Sequence, residues 1–154
     1  MTRLFSRLVV VWILVARPTP MHAQTHGYDD NALRIEGRFG DIRVVRGAAG
    51  VFVGKLGTFG GIDLAKLVGS SERATLEARQ FGHNYWPGTA FLSAGIVTLG
   101  MWMGVSRIND VNPTITTGLL VGATGLIVYG GGRLQSAYNA LARSIWWYNR
   151  DLRD

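Results

Sequence analysis

Hydrophobic and polar positions divide this chain unevenly. Two long uncharged segments dominate it, one between Arg79 and Arg107 and one between Asp110 and Arg133. Their apolar cores, at about 87–106 and 113–132, are each close to the roughly 20 residues that a helix needs to cross a hydrocarbon layer about 30 Å thick. The linker Arg107-Ile-Asn-Asp-Val-Asn-Pro-Thr114 is short and polar, so the two helices should run antiparallel. Residues 83–132 are therefore expected to form a transmembrane helical hairpin.

Small residues recur along both segments. Ser93, Gly100 and Gly104 are spaced by seven and four, and Gly100-Met-Trp-Met-Gly104 is a G-x-x-x-G. Gly118, Gly122, Gly125, Tyr129 and Gly132 follow four, three, four and three, with a second G-x-x-x-G at Gly118-Leu-Leu-Val-Gly122. Helices in lipid gain little from hydrophobicity, and small residues let their backbones approach. Ser93, Gly100, Gly104, Gly118, Gly122 and Gly125 are accordingly the expected helix-packing residues, either between the two helices or between copies of the chain.

Residues 42–82 read as a small α/β unit. Ile42-Arg-Val-Val-Arg46 and Val51-Phe-Val-Gly-Lys55 are β-branched runs joined by Gly47-Ala-Ala-Gly50, a hairpin signal. Asp63 caps a short turn ending at Gly69, and Ser70 or Ser71 caps a longer helix with Glu72 in its first turn. Ala74, Ala78, Phe81 and Tyr85 form one apolar stripe, while Arg73 and Glu77, four apart, can pair. Tyr85, Trp86 and Pro87 mark an entry into the membrane, where aromatic rings with polar tips settle. Residues 24–41 are polar and expected to be flexible.

Past Gly130-Gly-Gly132 the apolar seam changes phase. Leu134, Tyr138, Leu141, Ile145, Tyr148 and Leu152 alternate by four and three, beside Trp146 and Trp147. Residues 133–154 thus read as an amphipathic helix. It lies on the membrane surface with Trp146 and Trp147 interfacial, packs on the 41–82 unit, or forms a short coiled coil; tryptophans and arginines favour the first two. The fold class is a mainly α membrane protein, with a small β-hairpin/helix unit before the transmembrane hairpin and an amphipathic helix after it.

Residues 1–23 have the layout of a secretory signal peptide. Arg3 and Arg7 precede the apolar run Leu8-Val-Val-Val-Trp-Ile-Leu-Val-Ala16, and Ala23 is the expected cleavage point. An uncleaved signal anchor is the alternative, because Met21 is large for the −3 position. With cleavage both mature ends fall on the non-cytoplasmic side of a cell membrane or envelope, and an uncleaved anchor would leave the sides of the hairpin the same, although the Arg-rich tail would favour the cytoplasm.

The net charge of +6 does not change this picture. Residues 24–88 carry eight Lys or Arg against seven Asp or Glu, so the excess sits at the two ends. No basic stripe interleaved with aromatics suggests nucleic acid. Cysteine is absent, which excludes disulfides and cysteine metal sites. Gly50 to Gly54 leaves three residues where a phosphate loop needs four, and Leu56 stands in the hydroxyl position; the glycines of this region read as turn residues with positive φ. His26, Asp29 and Asp30 lack further ligands for a metal. His83 sits alone at the membrane boundary. Neither span carries Asp, Glu, Lys or Arg, which lowers the case for a transporter or proton relay. No catalytic residue, cofactor or metal is expected.

From Ser70-Ser-Glu-Arg-Ala74 through the Gly-rich pair to Ala137-Tyr-Asn-Ala-Leu-Ala-Arg-Ser-Ile-Trp-Trp-Tyr-Asn149, the order of features resembles small exported bacterial membrane proteins of unknown function. The resemblance implies the architecture and no activity. The expected role is that of a non-enzymatic envelope protein that scaffolds or interacts, with membrane lipid and a second copy or another envelope protein as partners. The contrasting expectation is a glycine-packed oligomer that forms a channel or permeabilises membranes. A third, an enzyme using His83 on the soluble face, lacks a nucleophile–base pair.

Overall fold

The structure, a computed structural model, describes residues 30–38, 41–57, 61–108 and 112–153. The signal-like segment 1–23, His26 and Asp29 lie outside these residues. Three antiparallel strands come first: β1 (Leu33–Arg38), β2 (Asp41–Arg46) and β3 (Val51–Leu56), in the order β1-β2-β3. The β2–β3 hairpin falls where its pattern placed it. Its turn uses Gly47 and Gly50 at φ of 73° and 67°, a region that costs glycine nothing. Positive φ therefore belongs to this turn and not to Gly54, which is a strand residue.

Within the stretch 24–41, expected to be flexible, β1 orders residues 33–38. It pairs along the whole of β2, from Leu33 opposite Arg46 to Arg38 opposite Asp41. A lone hairpin is marginal in water, and a third strand with an apolar face is the usual remedy. The broken alternation of β2 has a local cause, a register shift between Val44 and Val45 that lets both be buried.

A single short turn, α1 (Leu64–Leu67), is capped by Asp63, whose carboxylate accepts from the Ala65 and Lys66 amides at 3.0 and 3.3 Å. Two long helices follow, α2 (Glu72–Val105, 34 residues) and α3 (Pro113–Asp151, 39 residues). Ser71 caps α2, accepting from the Ala74 amide at 3.2 Å, and Asn112 caps α3 ahead of Pro113. α2 continues through Pro87, which has no N–H to offer the His83 carbonyl. Two residues on, the Thr89 hydroxyl donates to the Tyr85 carbonyl at 2.9 Å.

α3 is unbroken across Gly130–Gly132, so the expected phase change and separate tail helix are corrected. One seven-residue repeat serves both helices instead. Ala74, Phe81, Gly88 and Gly95 on α2 are buried and seven apart, as are Ala123, Gly130, Ala137 and Ser144 on α3. Leu141 and Tyr148 continue a second row begun by Ile127 and Leu134. A strict heptad keeps one seam facing the partner over the full length of an antiparallel pair. Three consecutive glycines would each cost about 1 kcal/mol relative to alanine in an isolated helix. The α2–α3 contact described below offsets that cost at Gly130.

The sheet covers only the basal half of this pair. Leu33, Ile42, Val44 and Leu56 from the strands, with Leu64 and Val68, close over Ala78, Phe81, Leu141, Ile145 and Tyr148. The tail is thus packed on the small α/β unit, one of its three expected placements. Asn149 fixes the sheet's edge to α3: its Oδ1 accepts from the Leu33 amide at 2.7 Å and its Nδ2 donates to the Leu33 carbonyl at 2.8 Å. Fully buried Ser144 donates to the Ala74 carbonyl at 2.9 Å, and the Ser71 hydroxyl donates to Asp151 at 2.5 Å.

Charged partners across the base differ from expectation. Glu77 pairs with Arg143 at 2.9 Å and not with Arg73, and this hydrogen bond raises the Arg143 guanidinium above its ordinary value. Arg73 lies over the Trp147 ring at 4.7 Å instead. Asn149→Ala would strand both backbone groups of Leu33 and is expected to lower stability by about 1–3 kcal/mol. Urea unfolding followed by circular dichroism checks this, with exposed Ser70→Ala as a control that shifts by less than about 0.5 kcal/mol.

Candidate functional site

Beyond Tyr85 on α2 and before Arg133 on α3, the helix pair has no sheet against it, and its own seam is very close. A Cβ built on Gly130 would stand 2.5 Å from the Leu92 amide nitrogen. On Gly95 it would stand 2.9 Å from that of Ile127, and on Gly88 2.9 Å from that of Leu134. Backbone therefore meets backbone here, with Ala123 fully buried in the same row. Ile127 leans on Gly95, and Leu92, Leu99, Leu119 and Leu126 are half-buried, while most of the remaining large apolar side chains are displaced outward. Ile96, Val121 and Val128 are 58%, 66% and 69% exposed, in the company of Val97, Met101, Met103 and Ile115. An apolar surface this extensive on a chain with so few apolar contacts around it marks an interaction site.

A polar network closes the basal side of that surface. Asn84 is buried and donates to the Gln80 carbonyl at 3.0 Å, while its Oδ1 accepts from Arg133 Nη1 at 2.8 Å. Arg133 also donates from Nε and Nη2 to the Tyr129 hydroxyl at 3.1 and 2.9 Å. The Tyr129 ring stands edge-on to Phe91, with centroids 4.9 Å apart. The cation at the basal end of the apolar half is thereby held by two neutral partners, which lowers the cost of removing it from water. Tyr85 stacks against Phe81 at 5.0 Å and meets Tyr138 edge-on at 6.5 Å, whereas Trp86 projects outward, 56% exposed.

The residues singled out from spacing fall elsewhere than expected. Ser93, Gly100, Gly104, Gly118, Gly122 and Gly125 are all exposed, and a Cβ on any of these glycines would meet nothing within 4 Å. They do not bind α2 to α3. That role belongs to Gly88, Gly95, Ala123 and Gly130, whose seven-residue spacing was the available signal. It was hidden because a chain this rich in glycine, with 21, offers several periodic subsets.

Trp146 and Trp147 lie near the end of α3. Helix rise of about 1.5 Å per residue sets Trp146 roughly 20 Å beyond Gly132, on the basal end. There the two rings meet edge-on at 4.6 Å, and Arg150 lies 4.1 Å from the Trp147 centroid. With α3 continuous, they lie about two turns beyond Tyr138, the residue whose ring meets Tyr85.

His83 is exposed on α2, and among the described residues no group of three or more His, Cys, Asp or Glu is arranged to hold a metal. What the arrangement can do is bury a slab of apolar surface and hold a folded head beside it. Neither protein-family models, curated proteins nor solved structures give a match to this chain.

Two glycine substitutions separate the inner seam from the outer ridge. Gly130→Ala should destabilise the hairpin by about 1–3 kcal/mol, since the backbone at Leu92 cannot yield without the helices parting. Gly125→Ala should be neutral or gain up to about 1 kcal/mol from helix propensity. Thermal unfolding of both variants in one detergent reads the difference.

Proposed function

We propose that this is an exported, membrane-anchored envelope protein whose distal helix pair crosses the bilayer and whose basal head scaffolds or recruits another envelope component. The observation that carries the reading is the inversion of the distal half, with glycine and alanine inside and large apolar side chains outside. Each long helix contains an 18-residue window of mean hydropathy 1.4, of which only 11% is buried. The core helix of a water-soluble protein would bury most of such a window. Lipid is the solvent in which outward Ile96, Val121 and Val128 cost nothing.

Further features support the same placement. Asn84, Tyr129 and Arg133 gather at one end of the apolar half, with Tyr85 and Trp86 beside them, where a headgroup layer would lie. Thr98 and Thr124 return their hydroxyls to the Ala94 and Leu120 carbonyls at 2.8 Å each, so neither presents an unpaired donor to hydrocarbon. Export follows from the signal-like segment, which sets the head and both mature ends on the non-cytoplasmic side.

The absence of cysteine makes a clean test possible. Single cysteines at Ser70, Val97 and Val121 are introduced, and intact cells are treated with a membrane-impermeant maleimide. Ser70→Cys should label in intact cells, while Val97→Cys and Val121→Cys should stay unreactive until the membrane is dissolved. Full labelling of the latter two in water would overturn the reading.

A second reading has its own observation. The outward ridge of Gly118, Gly122 and Gly125 is left unused by the fold, which favours association of hairpins in the membrane. Combined Gly100→Leu and Gly122→Leu should then reduce oligomer size on native gels; an unchanged size and unchanged liposome leakage remove both the oligomer and the channel.

A further inference from the structure

One concavity lies where the head meets the apolar half. It has a volume of about 360 Å³, within the usual range for small-molecule sites. One wall is the end of β3 and the start of α1, with Leu56 and Leu64; the other is the α2 face bearing Arg79, Phe81, Tyr85 and Trp86. Its floor is largely apolar. Gly82 also lines it, and nothing stands within 4 Å of the position a Cβ would take there. The missing side chain leaves the concavity open towards the exposed face of Trp86.

The charges around it are unequal in their engagements. Asp63 is turned to its own helix, accepting from two α1 amides, with Lys66 Nζ at 4.0 Å from its second oxygen. Arg79 is exposed and has no ion pair, hydrogen bond or ring contact among the described residues. A free guanidinium thus stands at the mouth of an apolar groove, two turns before the apolar core of the helix begins. An oxyanion at the head of a hydrocarbon chain matches that sequence of surfaces: charge at Arg79, then ring edges, then continuous apolar helix. Guanidinium is suited to phosphate because it can donate two parallel hydrogen bonds.

We propose that the groove holds one phospholipid of the membrane, its phosphate on Arg79 and the upper carbons of an acyl chain between Phe81 and Trp86. The head is then docked onto the bilayer by a specific lipid and does not merely hang from the hairpin. This rests on the membrane reading above. The site gives Arg79 the anionic partner that the described residues do not supply, and it gives the exposed Trp86 ring an apolar neighbour.

The test uses full-length protein in nanodiscs containing a phospholipid whose acyl chain carries a photoactivatable group, with labelled peptides mapped by mass spectrometry. Diacylglycerol bearing the same chain is the phosphate-free control. Labelling is expected on the α2 face between Phe81 and Trp86 as well as along residues 90–104. Arg79→Gln should reduce labelling at the groove about five-fold while leaving 90–104 unchanged, the size expected for one cation near a lipid surface.

Gly82→Leu, which fills the groove from a helical position, should remove labelling at the groove without touching Arg79. Equal groove labelling by diacylglycerol, or by the Arg79→Gln variant, overturns the phosphate assignment. Labelling of 90–104 with none at the groove overturns the site while the membrane reading stands. Absence of both means that the membrane reading has failed and this site with it.

Discussion

The contact of backbone with backbone along Gly88, Gly95 and Gly130 is the constraint from which the other features follow. Helices that approach this closely leave no room for a Cβ at Gly88, Gly95 or Gly130. Ile127 leans on Gly95, and most of the other large apolar residues of the distal half point away from these contacts. Exposed Ile96, Val121 and Val128 are consequences of the seam as much as of any surface requirement. The same seam, with Ala74, Ala137 and Ser144 in place of glycine, continues into the basal half. There the outer side of the pair is covered by the sheet. One repeat thus builds a rod with two different environments along it.

The head depends on the rod more than the rod depends on the head. Three strands without a helix to cover their apolar face would be marginal. Leu33, Val44 and Leu56 find that cover on α2 and α3, and Asn149 supplies the hydrogen bonds that β1 lacks at its outer edge. Gly54 shows the same dependence on a smaller scale. A Cβ there would collide with Ile62 Cγ2, and the Ile62 amide donates to the Lys55 carbonyl at 2.9 Å, so the residue is glycine to let the chain fold back on β3.

Much of the architecture was legible in the chain. Local signals that need no partner survived intact: the glycine turn after β2, the Asp63 and Ser71 caps, and the short polar linker between two apolar segments. Signals that depend on a partner did not. β1 has only Leu33 and Ile35 as an alternating pair, and its identity is decided by the strand beside it. The break expected at Gly130–Gly132 was read from the apolar spacing of Leu134 to Leu152, yet the helix and its buried heptad run straight through the three glycines. The G-x-x-x-G pairs were found and the packing glycines were not, because spacing alone cannot tell which face of a helix meets a neighbour. Arg133 looked like a flanking charge; only folding brings Asn84, 49 positions earlier in the chain, within 2.8 Å of it.

The two halves of the rod also differ in what can hold them together. In water, burying Phe81, Leu141, Ile145 and Tyr148 under the sheet is favourable by about 25 cal/mol per Å² of apolar area, and the seam can be relatively loose. In lipid that term vanishes between helices, and only close packing and hydrogen bonds remain. The change from Phe81 and Ala137 to Gly88 and Gly130 occurs within one heptad on each helix, at the level of Asn84 and Arg133. A pair that passes from water into hydrocarbon would have to make the exchange there, and the hydrogen-bonded cation and neighbouring aromatic rings stand at the same level.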